Sequence, residues 1–380
     1  MHKERKIFEE VDSPAIEADR NPNSRIGGGE SGNRQGIRIW LGILLILVMG
    51  TLFSGGLTRL TDSGLAITDW NPVVGAIPPL STDAWETEFA KYKAIPEYDL
   101  QNKEIELSEF KKLYWWEWSH RQLARLAGIA WLAGFAWFLF RRNIPRGWAP
   151  RLILLGVLGG AQAAVGWWMV SSGLQGRMVD VASYRLAVHL ALAFGIIASI
   201  FWFMLALARR EADLLQSRRA RDRKADFLSS ALIGVFFLQI VLGALVAGID
   251  AGQGFPTWPL MNGEFVPSEA LGFEPLWTNF FENQALVHFN HRIFGYALLV
   301  LACASWYVMR KSPYRSVRQS FAWVAVASVA QVAIGIFAAL SNAALSVAAL
   351  HQLAAVLLIL QIVNARFSGV YPKIGQIRGD

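Results

Sequence analysis

Apolar residues run through this chain in long blocks with no charge in their central parts. An apolar helix needs about 20 residues to cross the hydrocarbon core of a bilayer. Eight stretches reach or approach that length, at roughly 37–59, 119–140, 151–170, 185–208, 227–248, 287–309, 319–340 and 345–366. Between them lie two long polar connections, 60–118 and 249–287, and several short ones. In the first long connection Trp85, Phe89 and Tyr92 recur at helical spacing, which predicts a short amphipathic helix on the membrane surface. Ser108 is the predicted cap of a second helix running through Trp115, Trp116 and Trp118 into the second span, with the tryptophans as an interfacial belt. Residues 1–36 are polar, with a glycine patch at Gly27–Gly29, and read as a disordered tail; 209–226 reads as a basic linker and 367–380 as a second tail. The first apolar block begins too far into the chain for a cleaved signal peptide and is expected to remain.

Composition supports a polytopic membrane protein. Of the 380 residues 54% are hydrophobic and 17% charged, against about a quarter charged in soluble domains. The net charge of +7 is not gathered on one face, as a nucleic-acid binder would require. It sits in alternate connections. Arg141, Arg142, Arg146 and Arg151 follow the second span, seven Lys or Arg fall within 209–226, and Arg310, Lys311, Arg315 and Arg318 follow the sixth. Segment 249–287 has neither Lys nor Arg, and in 60–118 the acids outnumber the lysines. The positive-inside rule therefore puts both termini in the cytoplasm and both long loops outside. The single cysteine, Cys303, rules out an intrachain disulfide, a cysteine zinc site and a cysteine-held iron–sulfur cluster. No phosphate loop or dinucleotide fingerprint is present, which sets aside ATP- and dinucleotide-driven chemistry.

The two halves repeat each other. An offset of 188 aligns Gly55, Asp62, Gly64, Trp70 and Gly75 with Gly243, Asp250, Gly252, Trp258 and Gly263. An offset of 171 aligns His120-Arg121 with His291-Arg292. An offset of 169 aligns Gln162, Gly166 and Ser172 with Gln331, Gly335 and Ser341, and one of 162 aligns His189 with His351. Four spans per half give both halves the same orientation, a parallel repeat about the membrane normal. The expected fold is all-α: eight transmembrane helices as two pseudo-symmetric four-helix bundles, 37–208 and 227–366.

Five of the six histidines fall in spans, where ionisable groups are costly and functional by default. One such histidine can be simple interhelical glue; four at repeat-equivalent places are not. His120, His189, His291 and His351 each lie near the outer start of a span, two per half on two different helices. Two imidazoles on facing helices suit a haem, whereas zinc wants three or four ligands. A carrier moving electrons across the bilayer would place one haem near each face, and these four share a face. Glu117, three residues before His120, is matched in the second half by His288. Glu117 is either a proton-moving carboxylate at a haem edge or an interfacial acid solvated by outer water. Its absence from the second half marks the first as the catalytic one and the second as a cofactor half. Arg185 either pairs a haem propionate or snorkels, Arg121 and Arg292 reach propionates or headgroups, and Gln162 and Gln331 read as interhelical glue.

Four segments carry a family resemblance: Gly55-Gly56-Leu57-Thr58-Arg59-Leu60-Thr61, Trp70-Asn71-Pro72, Trp115-Trp116-Glu117-Trp118-Ser119-His120-Arg121, and His291-Arg292 after Phe289-Asn290. They resemble haem A synthase, in the longer branch of alphaproteobacteria and mitochondria, which lacks the paired outer-loop cysteines of the shorter branch. The resemblance covers roughly 37–366. It implies oxidation of the C8 methyl of haem O to a formyl through two hydroxylations and loss of water. It implies a permanent haem b on His291 and His351, substrate haem O on His120 and His189, and Glu117 as the catalytic acid position. It also implies a cytoplasmic (inner) membrane location with the haem sites near the periplasmic face. The implied partners are haem O synthase, cytochrome oxidase assembly and membrane lipid, with the electron-transfer partner unassigned. Where the family pattern expects a glutamine this chain has His288; the Arg that follows in both halves favours His291 as the ligand. The competing reading is a di-haem b membrane electron-transfer protein, with a haem carrier behind it.

Overall fold

The structure, a computed structural model, describes residues 28–174, 176 and 178–373. Among these the chain is helical, without a named strand. The first half contains α1 (Gly28–Leu60), α2 (Thr82–Tyr92), α3 (Pro96–Leu100), α4 (Leu107–Phe140), α5 (Ala149–Val170) and α6 (Ser183–Leu207). A short α7 (Glu211–Arg219) leads to the second half: α8 (Arg223–Gly248), α9 (Ala251–Gly254), α10 (Asn279–Glu282), α11 (Gln284–Met309), α12 (Arg315–Leu340) and α13 (Leu345–Val370). The eight long helices, α1, α4, α5, α6, α8, α11, α12 and α13, are apolar and long enough to cross a membrane. They are the eight expected; seven begin before the starts read from the sequence, α13 begins at the expected residue and runs on to Val370, and α6 ends one residue short of 208.

Each half closes into a four-helix ring. In the first, α1 packs on α4 and α6, and α5 on α4 and α6; in the second, α8 packs on α11 and α13, and α12 on α11 and α13. The rings meet where α6 packs on α8 and α13, and α1 on α13. That seam holds the largest apolar core, with Phe194, Ile197, Leu232, Phe236, Ile359 and Ile362 buried together. Phe194 of α6 meets Phe236 of α8 edge-on at 5.6 Å. Asp226 pins α8 to α13 at the other end of the seam, taking a 2.7 Å bond from Arg366 and a second contact from Arg221. A buried carboxylate is stable there because two guanidiniums satisfy it.

Several local expectations are corrected. The tail expected over 1–36 enters helix at Gly28, while residues 1–27 lie outside the described residues. Arg34 ties the early start to the end of α6: its guanidinium donates to the carbonyls of Ala206 and Arg209, at the frayed last turn of that helix. Likewise α13 runs to Val370, burying Phe367, Ser368 and Gly369, whose carbonyl accepts from Asp222; residues 374–380 of the expected second tail lie outside the described residues. Ser108 does not cap α4, which starts one residue earlier behind Glu106 without a side-chain cap. The Trp85–Phe89–Tyr92 helix forms with Ser81 as its cap, but its apolar face is covered by protein. Trp85 meets Tyr114 and Phe89 stacks on Phe110, both on the extended start of α4. Trp115 and Trp116 stay exposed, as a belt requires, whereas Trp118 is half-buried with no partner for its indole N–H.

Candidate functional site

Each of the four histidines leans on a glycine of a neighbouring helix. A methyl group added at Gly166, Gly243 or Gly335 would stand 2.9 Å from Cε1 of His189, His291 or His351. At Gly55 it would stand 2.6 Å from Cε1 of His120. Any larger residue at these points would push the ring away, so glycine sets how far each imidazole can sit back into the bundle. One turn before each of three glycines stands a glutamine. The Nε2 of Gln162, Gln239 and Gln331 donates to the main-chain carbonyls of His189, His291 and His351 at 3.1, 2.9 and 3.1 Å. The same amides lie against the rings, at 3.2 Å from Nδ1 of His189 and 3.1 Å from Nδ1 of His291. The corresponding place before Gly55 is Thr51, whose carbonyl is 3.0 Å from Nδ1 of His120. Gln162 and Gln331 are thus interhelical bonds, as expected. Gln239 and Thr51 complete a fourfold pattern that the histidines alone did not disclose; a Gln with Gly four residues on, at 162, 239 and 331, was its signal.

In the second half the rings of His291 and His351 meet edge-on, their planes 76° apart and their centres 6.4 Å apart. A single metal bridging two imidazoles with bonds of about 2 Å sets their centres roughly 6 Å apart. His120 and His189 of the first half stand on α4 and α6, both of which pack on α1 and α5. Among the described residues no group of three or more His, Cys, Asp and Glu is placed to hold a metal. Pairs of imidazoles on glycine ledges, each pair on two helices of one bundle, are a donor set that would suit a haem in each half. The carboxamide oxygens of Gln162, Gln239 and Gln331 have no partner within the protein.

The arginine after each first histidine is bound to main-chain carbonyls of a loop. Arg121 donates to the carbonyls of Ile67 and Asp69 at 2.7 and 2.8 Å, and to Glu117 at 2.5 Å. Arg292 donates to the carbonyls of Phe255 and Thr257 at 2.8 and 2.9 Å, and to His288 at 3.2 Å. The four carbonyls are repeat-equivalent, since 67 and 69 plus 188 give 255 and 257. Both arginines therefore clamp the loop that leaves the preceding span. Glu117 is 3% exposed, so it is not an interfacial acid in water; its second oxygen accepts the Ile67 N–H at 3.0 Å. His288 fills the same place in the second clamp, which separates it from His291 on its ledge. Arg185 caps the end of α5 through the Trp168 carbonyl at 2.6 Å and lies over the Trp168 ring. Trp70, in the first clamped loop, stacks on Trp167 of α5 at 5.7 Å, beside the Gly166 ledge.

On the long-loop side Arg59 binds Asp62, Asp180 and Asp250 at 2.8, 3.1 and 3.0 Å, tying together loops of both halves. Asp62 and Asp250 are repeat-equivalent and share a left-handed backbone at the ends of α1 and α8. Burial raises the Asp180 carboxyl to about 6, although Arg59 beside it pulls the other way. A cavity of about 600 Å³ lies next to the first clamp, bounded by Ile67, Pro78, Leu80, Tyr114, Arg121 and Arg125.

Fold and site together define a class: an eight-helix membrane protein made of two like bundles, each presenting a pair of histidines at the same end. The model of a family described as cytochrome oxidase assembly protein matches residues 38–363, and the chain belongs to that family. It is 50% identical to a haem A synthase of Cereibacter sphaeroides, over 99% of this chain and 98% of that one. It is also 50% identical to a haem A synthase of Dinoroseobacter shibae (100% and 99%), and 49% identical to one of Paracoccus denitrificans (99% and 98%).

Proposed function

We propose that this chain is a haem A synthase: it oxidises the C8 methyl of haem O to a formyl group by two successive hydroxylations and loss of water. The product serves aa3-type cytochrome oxidase, and haem O synthase supplies the substrate. The observation that carries this reading is the pair of like histidine sites with unlike clamps, Glu117 in one half and His288 in the other. An electron carrier with two equal haems has no need for that difference.

On this reading His291 and His351 hold a permanent haem b, which supplies one-electron chemistry when bound. His120 and His189 hold the substrate. Glu117 stands one turn from His120, dry and fixed by Arg121 and the Ile67 amide, where it can take and return protons as the methyl is oxidised and the diol dehydrates. The loop clamped by Arg121 keeps bulk water from the substrate edge. The long loops face the periplasm and both termini the cytoplasm, in keeping with the arginines that follow α4 and α11. The test is haem extraction and mass analysis from cells making this chain together with a haem O synthase. Haem A should appear only when the chain is present. The Glu117→Ala variant should bind haem but stop before the aldehyde. Haems b and O alone, with the protein folded and its electron supply intact, would favour the di-haem carrier.

A further inference from the structure

The loop between α1 and α2 carries its apolar residues on the outside. Val73, Val74, Ile77 and Leu80 are 80, 78, 68 and 83% exposed, in a segment that also holds Pro72, Pro78 and Pro79. In water such a cluster would be a liability. Its height along α4 says what surrounds it. The inner end of α4 is marked by Phe140 and the arginines that follow. Arg125 lies 15 residues above Phe140, about 23 Å at 1.5 Å per residue, and Gln122 about 27 Å, both within a hydrocarbon core of about 30 Å. The loop is bonded to these two residues. Arg125 donates to the carbonyls of Asn71 and Pro72 at 3.0 and 2.9 Å, and Gln122 to that of Ala76 at 2.9 Å. Gly75 permits the approach, since a methyl there would stand 2.9 Å from Arg125 Nη2.

Irregular backbone survives in lipid only if its polar groups are satisfied within the protein. The part of this segment nearest α4 meets that condition. The N–H groups of Gly75, Ala76 and Ile77 bond within the turn to Asn71, Val73 and Val74. The three prolines have no N–H to satisfy. Arg121, Gln122 and Arg125 take the carbonyls of Ile67, Asp69, Asn71, Pro72 and Ala76. The exchange is mutual, because an arginine at that depth is itself costly without acceptors. The exposed face of α4 just below, at Leu126, Ile129 and Leu132, is apolar and continues the same surface. In the second half Arg125 is replaced by Tyr296, whose hydroxyl accepts from Trp258, so the device belongs to the first half.

We propose that residues 71–80 form a re-entrant segment immersed in the hydrocarbon of one leaflet, with Val73, Val74, Ile77 and Leu80 against lipid chains and Arg125 and Gln122 as its internal hydrogen-bond donors. The experiment uses the purified full chain in phosphatidylcholine vesicles, with Cys303→Ser as background. Nitroxide labels are placed by Val74→Cys and Ile77→Cys, with Leu126→Cys as a lipid-facing reference and Glu86→Cys and Lys103→Cys as exposed-loop references. Collision rates with oxygen, which concentrates in lipid, and with a water-soluble nickel chelate are then compared. Labels at 74 and 77 should match 126, with oxygen collisions several-fold above nickel. Adding Arg125→Leu should shift the label at 77 toward the pattern of 86. Labels at 74 and 77 that match 86 and 103 in the unaltered background would overturn the immersion; a label at 77 indifferent to Arg125→Leu would overturn the role of that arginine.

Discussion

Glu97 sits buried under the first long loop, where Tyr92 donates to it at 3.0 Å and Asn102 at 3.1 Å, while its other oxygen has no partner. Burial pushes its carboxyl up to about 8, against the opposing bond from Tyr92. The folded protein therefore holds a proton that the unfolded chain releases near the ordinary value of about 4.3. Where the native state binds more protons, stability falls as pH rises. The Glu97 contribution should be fully present below about pH 4 and lost progressively up to about pH 8. Thermal unfolding measured across that range should show the decline in the wild type and a flatter profile in Glu97→Gln; parallel profiles would remove Glu97 as the cause. Nothing in the sequence sets Glu97 apart from the other acids of 60–118, because its state depends on what folds over it. Glu117 was legible by its place before His120 and by the repeat, but its contacts were not. The reach of Arg121 back to Ile67 and Asp69 depends on how the loop returns to α4, and spacing along one helix does not report that.

The helices were readable as elements because lipid-sized apolar blocks leave little choice, and their caps and extensions were not. Arg34 and Asp222 extend or start helices through contacts with distant chain ends, at Ala206 and Gly369 respectively. The seam between the halves shows a further asymmetry. In α1 Gly56 lies under Gln352 of α13, whose amide donates to the Leu52 carbonyl at 3.0 Å. The repeat-equivalent place in α8 is Ala244, in a cluster packed by Leu190 of α6. Each pairing matches a small residue to the bulk opposite it. Gly56→Ala should drive the new methyl into the Gln352 amide and cost about 1–3 kcal/mol, seen as a lowered Tm. Adding Gln352→Leu, which copies the sister contact, should recover a good part of that loss. If the double variant is no more stable than Gly56→Ala alone, the two residues are not matched in this way.

At the scale of the whole molecule, a duplicated bundle has kept one geometry and changed one partner. Glycine ledges, glutamine or threonine neighbours and arginine clamps recur in both halves, so each half offers the same pair of imidazoles. The repeat and its histidines were visible in the sequence because they fall at slowly shrinking offsets. The ledges were visible only as scattered glycines until the fold placed a ring on each. What divides the halves is Glu117 against His288, on which the proposed assignment of the reaction to the first half rests, and the loop bonded to Arg125. The most direct test is haem analysis of purified ligand variants made together with a haem O synthase. His120→Ala and His189→Ala should retain haem b and yield no haem A, whereas His291→Ala and His351→Ala should lose haem b itself. Retention of haem b in the second pair with its loss in the first would reverse the assignment of the two halves and contradict the account.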